Sequence, residues 1–181
     1  NAFDPTYIRR AATVLDIDAF IAKQPNPSKI TYAKGGGGHS GYYNNKYIKR
    51  TGEIGLPDDD LTSPVNYVAI RYADVLLMAA EANARATVNK DEGKAQTYLN
   101  LVRDRVNLDP IASGGTQLVE AIWAERRLEL SGEGLRFFDL VRTGQAATYI
   151  ANFQVGKHEV FPIPQVEIDL AGGNWTQNNN Y

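Results

Sequence analysis

The sequence predicts a mainly α protein, a tetratricopeptide-like helical scaffold with long loops and little β structure. Three observations carry this. Apolar residues recur at helical spacing from Tyr72 to Val106 and again from Val119 to Val141. The helical runs are joined by short links. The first third of the chain is instead punctuated by Pro25-Asn26-Pro27, Gly35 to Gly38 and Pro57.

Residues 1–66 read as a loop-rich segment. Tyr42-Tyr43 and Tyr47-Ile48 suggest a short strand or extended arm. Asp58-Asp59-Asp60, between Pro57 and Ser63-Pro64, reads as an exposed loop. Residues 67–181 read as one helical region. Its first helix should run from Tyr72 to about Thr87, with Ile70, Ala73, Leu77, Ala80 and Ala84 on the apolar face. Val88-Asn89-Lys90 is a short link. Ala95, Tyr98, Leu99, Val102 and Val106 form the stripe of the second helix, which stops before Pro110. So short a connection implies an antiparallel hairpin, the unit of tetratricopeptide-like repeats. One hairpin leaves a face uncovered, so helices from elsewhere must pack on it.

Thr116 is the expected cap of a third helix, with Glu120 in its first turn. Its stripe is Val119, Ile122, Trp123 and Leu130, and Arg126 falls on the same stripe. Arginine on an apolar face is costly unless a carboxylate pairs with it. The expectation is a structural ion-pair network of Glu125, Arg126, Glu129, Glu133, Arg136, Asp139 and Arg142, with Arg126, Arg127 and Arg136 holding the acids ionised. After Ser131-Gly132-Glu133-Gly134 a further helix should bury Phe137, Phe138 and Val141, and Gly144 should end it. A short helix through Ala147 and Tyr149 follows. Lys157 to Phe161 reads as a strand, Pro162 and Pro164 bar regular structure, and the Ala171 to Trp175 tail reads as loop.

These motifs resemble the C-terminal signature of the SusD/RagB family. The Glu-Arg-Arg-x-Glu-Leu run is Glu125 to Leu130, and Glu-Gly-x-Arg-x-Phe-Asp-Leu-x-Arg is Glu133 to Arg142. Lys157-His158 and Phe161 to Pro164 match a later segment. Gln177 to Tyr181 resembles a Gln-Asn-Pro-Gly-Tyr ending, with Asn179 and Asn180 in place of Pro-Gly. Ile70 to Asn83 matches an upstream block, and Asp4-Pro5 and Gly41-Tyr42-Tyr43 with Lys46-Tyr47 match weaker ones. The resemblance implies the C-terminal portion of a surface lipoprotein of the outer membrane. Such a protein captures oligosaccharides and passes them to a SusC-like TonB-dependent transporter without covalent chemistry. It also implies a fragment of a longer protein, whose lipid anchor, the sole membrane association, is absent from this chain.

Composition narrows the alternatives. The formal net charge is −2, and Lys and Arg form no basic run interleaved with aromatics, which speaks against nucleic acid. No apolar run reaches membrane-spanning length. There is no cysteine, so disulfides and thiol chemistry are excluded. No cofactor motif is present: the glycine run lacks the Lys-Ser/Thr of a phosphate loop. No metal is expected, since Asp58 to Asp60 lack the glycine and distal glutamate of a calcium loop. His39 and His158 are far apart, and His158 reads as a hydrogen-bonded packing residue.

Glu125, Glu129 and Glu133 could pose as the paired carboxylates of a glycan-cleaving enzyme. Neighbouring arginines suit structure better than a general acid. The candidates for ligand contact are His39, Tyr42 and Trp175, because an aromatic ring covers a sugar's apolar face while nearby amides bond its hydroxyls. A helical-repeat peptide-binding module, with the Ala73 to Val106 hairpin gripping a partner segment, is the alternative binding role.

Overall fold

The computed structural model describes residues 3–4, 7–33, 40–48 and 65–181. His39, the run Gly35 to Gly38 and Asp58 to Asp60 lie outside the described residues. The chain divides into two compact units, residues 1–133 and residues 134–181.

The first unit is built on three helices, and the mainly α expectation holds. Helix α3 spans Tyr72–Arg85, α4 Glu92–Asp104 and α5 Gly115–Glu129. The chain folds back between α3 and α4, with Asn89 in the left-handed conformation at φ 57°. Asp91 caps α4 by accepting from the Lys94 amide at 2.9 Å. Leu77, Ala80 and Ala84 of α3 meet Leu99 and Val102 of α4 and Leu118 and Ile122 of α5 in one apolar cluster. Each large aliphatic side chain buried there stabilises the fold by about 1.5–3 kcal/mol. The third helix thus covers the hairpin, in answer to the uncovered face that the sequence raised. Ile70, placed on the buried stripe by sequence, is 67% exposed because it precedes the first helical turn.

Two local expectations about α5 are corrected. Its N-cap is Gly114, and Thr116 lies inside the helix. Gly115 takes φ 57° and its amide donates to Glu92 Oε1 at 3.1 Å, so a side chain of α4 does the capping. The buried stripe keeps Ile122, Arg126 and Leu130 where the sequence reading placed them, but it begins at Leu118 in place of Val119. Leu118 and Ile122 are buried fully, while Val119 and Trp123 sit at its edge, partly buried. Trp123 there takes the Arg85 guanidinium over its ring at 5.6 Å.

The described residues before these helices include short regular elements. Among them are α1 (Ile8–Thr13), β1 (Val14–Asp16), α2 (Ile17–Ala22) and β2 (Tyr42–Asn44), followed by a 3-10 turn over Asn45–Tyr47. Strands β1 and β2 pair antiparallel, with Leu15 opposite Tyr43. Three-residue strands are marginal alone. These are tied down by Asn45 Nδ2, which donates to the Ala11 carbonyl at 2.9 Å, and by Asn44 Nδ2, which donates to the Gly132 carbonyl at 2.7 Å.

The second unit contains α6 (Arg136–Arg142), α7 (Ala146–Tyr149) and α8 (Gln165–Leu170). Gly144, at φ 71°, follows α6 as expected. The burial on α6 differs from the sequence reading: Asp139 and Leu140 are buried, and Phe138 is 65% exposed. Residues 157–161 form turns instead of a strand. The Gln177 carboxamide bonds both backbone groups of Ile163 at 2.8 Å, and Asn178 Nδ2 donates to the Phe161 carbonyl at 2.6 Å. The two C-terminal motifs, Phe161 to Pro164 and Gln177 to Tyr181, therefore hold each other. Asn180 has φ 69°, a left-handed conformation that asparagine tolerates.

Candidate functional site

Helix α5 presents Glu125 and Glu129 four residues apart on its buried face, and Glu133 follows in the turn beyond. The three carboxylates are 2%, 3% and 6% exposed. Buried carboxylates need partners. Their partners among the described residues include cations from distant parts of the first unit. Glu125 receives Arg9 of α1 at 2.5 Å and Arg103 of α4 at 2.7 Å. Glu129 receives Arg71 and Arg105, each at 2.5 Å, and lies 2.9 Å from Arg9 Nε. Glu133 receives Lys46 at 2.5 Å and Arg71 at 2.8 Å. Arg126, on the same helix, pairs with Asp74 of α3 at 2.7 Å.

The network also finishes the helix. The last carbonyls of a helix have no partners within it. The Glu129 carbonyl accepts from Lys46 Nζ at 2.7 Å and from Arg71 Nη2 at 2.6 Å. These cations offset the unfavourable placing of carboxylates at a helix C-terminus.

The titration behaviour follows from this crowding. Burial alone would push the Glu133 carboxyl up, but hydrogen bonds from Arg71 and Lys46 outweigh it and hold the group below its ordinary value. Burial pulls the Lys46 ammonium down, and the bond to Glu133 only partly restores it. Arg71 is desolvated too, yet its bonds to Glu133 and Glu129 secure its charge further.

Beside the network lies a pocket of about 560 Å³, walled by α1, the Asn45–Tyr47 turn, residues 65–71 and the ends of α4 and α5. Arg9, Thr13, Lys46, Arg71, Arg105 and Glu129 are its polar residues that matter most. Ile8, Tyr47, Val68 and Val106 give it an apolar wall. Its volume suits a small ligand.

The remaining expected residues fall elsewhere. Arg142 pairs with Asp139 within α6 at 2.7 Å, and Arg136 lies over the Tyr149 ring at 5.3 Å. Tyr42 projects from β2 and is 51% exposed, while Trp175 follows the turn after α8 and is 54% exposed. His158 accepts from the Gln154 amide at 3.0 Å and meets the Phe153 ring edge-on. Among the described residues no cluster of His, Cys, Asp and Glu could hold a metal ion, and no helix is long and apolar enough to cross a membrane. Sequence reasoning missed Arg9, Lys46, Arg71, Arg103 and Arg105. The one available signal was the surplus of acids on a buried stripe, which demands cations from somewhere.

Comparison with known proteins gives this frame its context. The model of the SusD family matches residues 25–181. The SusD-like protein P2 of Formosa agariphila is 30% identical over 151 residues, which is 74% of this chain and 29% of that protein. A solved laminarin binding SusD-like protein is 36% identical, with a TM-score of 0.76 over 96% of this chain and 35% of its own. Surface glycan-binding protein A from Bacteroides thetaiotaomicron, solved in complex with laminarihexaose, is 34% identical, with a TM-score of 0.77 over 98% of this chain and 39% of its own. The chain thus spans about a third of the length of these relatives. With the match running from Pro25 to the last tyrosine, through all three scaffold helices and the charged end of α5, the chain belongs to the SusD family.

Proposed function

We propose that this chain is the C-terminal scaffold of a surface glycan-binding protein that captures oligosaccharide without cleaving it. In this reading the whole protein sits at the outer membrane and delivers the glycan to a SusC-like TonB-dependent transporter. The supporting observation is the likeness, over nearly the whole chain, to two proteins described as binding laminarin or laminarihexaose. A neutral β-glucan is the first ligand class to test.

The state of the carboxylates supports a non-catalytic role. A glycosidase needs one carboxyl that can deliver a proton. Glu125 and Glu133 are each gripped by two cations, and Glu133 is held below its ordinary value. A carboxyl held in the way of Glu133 stays ionised and serves poorly as a general acid. The network reads instead as a lock that fixes α1 and the β hairpin segment to the helices.

Tyr42 and Trp175 are the proposed ligand-contacting aromatics of this portion, with His39 as a third. Calorimetric titration of laminarihexaose tests the reading. Binding should be measurable, and Tyr42→Ala or Trp175→Ala should weaken it about tenfold by removing a stacking surface. Prolonged incubation should leave the sugar intact. Absence of binding by every oligosaccharide in a neutral panel, or release of shorter products, would overturn the reading.

One observation favours a second role. Tyr72 and Leu101, 72% and 50% exposed, line a groove of about 430 Å³ between α3 and α4, and Val75 and Met78 of α3 are 44% and 45% exposed. An exposed apolar row of this kind is what a helical-repeat peptide-binding module presents. Titration with a peptide panel separates the two readings.

A further inference from the structure

Residues 7–33 and 40–48 carry α1, β1, α2, β2 and the Asn45–Tyr47 turn, and they form a strap against the helices. The strap is not attached to α3, α4 and α5 as those helices are attached to one another. Among the described residues, no apolar side chain before Ala73 belongs to the buried cluster or packs against it. Of the strap's described residues only Arg9 and Thr13 are buried. The ties that cross at Arg9, Lys46 and Asn44 are polar. Arg9 meets Glu125 at 2.5 Å and Glu129 at 2.9 Å, Lys46 meets Glu133 at 2.5 Å, and Asn44 Nδ2 donates to the Gly132 carbonyl at 2.7 Å.

Two features weaken this seam. Arg9 Nη1 and Thr13 Oγ1 are buried in it without a hydrogen-bond partner. Water would satisfy both atoms if the strap lifted, so they favour the open state. The seam is also underfilled. About 560 Å³ of space runs along it, with Ile8, Thr13 and Tyr47 on the strap side and Val106, Glu129 and Glu133 on the other. Atoms facing such a gap lose the dispersion contacts of a close-packed interior. Within itself the strap is well connected. Strand β1 pairs with β2, Asn45 Nδ2 reaches the Ala11 carbonyl at 2.9 Å, and the Ile17 amide donates to the Gly41 carbonyl at 3.1 Å. Internal bonds with little apolar burial are the marks of a segment that opens as a cooperative piece.

We propose that the strap lifts from α3, α4 and α5 as one unit while those helices stay folded, and so opens and closes the space along the seam. The charged end of α5 is its latch. Each latch carboxylate holds a second cation that does not belong to the strap. Glu125 keeps Arg103, Glu129 keeps Arg71 and Arg105, and Glu133 keeps Arg71. Lifting the strap therefore strands no acid on the helices, and the three-helix cluster loses none of its apolar contacts.

Native-state hydrogen exchange of the full chain in rising denaturant tests this, with the Arg10, Val14 and Ile17 amides reporting the strap and the Leu77 and Leu99 amides the helices. The strap amides should share one opening equilibrium and one denaturant slope, both smaller than those of the helix amides. Val102→Ala loosens the apolar cluster, which is the same whether the strap is open or closed. It should speed the Leu77 and Leu99 amides about tenfold and leave the strap amides within about twofold. Arg9→Ala breaks the latch and should speed the strap amides about tenfold or more. Asn44→Ala, a milder change that removes the tie to Gly132, should act in the same direction. Equal acceleration of strap and helix amides in Val102→Ala would show one cooperative unit and overturn the proposal. Strap exchange with no denaturant slope, or unchanged in both Arg9→Ala and Asn44→Ala, would show fraying with the seam intact and overturn it too.

Discussion

The two halves of α5 share one buried face and use it in opposite ways. Its first half sets Leu118 and Ile122 into the apolar cluster with α3 and α4. Its second half continues the same stripe with Glu125, Arg126 and Glu129, all 5% exposed or less. Apolar contact is non-directional and tolerates small displacements. A buried carboxylate is not tolerant, because it must be met by donors at hydrogen-bond distance. The first half therefore supplies adhesion. The second half, continued by Glu133 in the turn beyond, supplies position, since its carboxylates fix Arg9, Lys46 and Arg71, which come from separate stretches of chain.

The comparison is broken most severely at Glu129. Glu129→Ala removes the shared partner of Arg9, Arg71 and Arg105 and leaves buried positive charge uncompensated. The expected loss is about 3–5 kcal/mol in chemical denaturation. Ile122→Ala, in the apolar half, should cost about 2–4 kcal/mol, and its surroundings should relax partly into the cavity. Gly132→Ala probes the junction beyond the helix. Gly132 has φ 80°, and a Cβ there would stand 2.7 Å from the Asn44 carboxamide. Strain and loss of the Asn44 bond should together cost about 1–3 kcal/mol, with altered amide signals in β2.

The smallest effect is the dependence on acid. The Glu133 carboxyl is held below its ordinary value of 4.5 when folded, so the unfolded chain takes up its proton first. Its contribution is complete above that value and is lost as pH falls through the lower folded value. Glu133→Gln should flatten the acid limb of a stability-against-pH curve. Lys46 works at the other end. Its folded value is lowered from 10.5, so its burial is a cost at neutral pH that is relieved as pH rises toward 10.5. Lys46→Met should remove that rise in the alkaline limb.

The contrast also explains what was legible in the sequence. Leu77, Ala80, Ala84, Leu99, Val102 and Ile122 announced three helices through simple periodicity, because adhesion is written in local pattern. On α5 the helical spacing took in Trp123, which sits at the edge of the buried face beneath Arg85. Helices α1, α2 and α8 have six residues each, too few for periodicity to show. The charged cluster was visible through Arg126 on an apolar stripe, which called for the neighbouring Glu125, Glu129 and Glu133. Their partners were not, because Arg9 lies 116 residues from Glu125 and Lys46 lies 87 from Glu133. Nothing local records such pairings. The pocket was invisible for the same reason, since its walls come from five separate stretches.

A double-mutant cycle on Arg71→Met and Glu133→Gln tests the positioning role most directly. Arg71 and Glu133 meet through Nε–Oε2 and Nη2–Oε1 bonds, each 2.8 Å long. If the charged half of the stripe locks distant segments together, the unfolding free energies should show a coupling of about 2 kcal/mol between the two changes. Additive losses, with coupling below about 0.5 kcal/mol, would contradict it and leave the apolar half as the whole source of the fold's order.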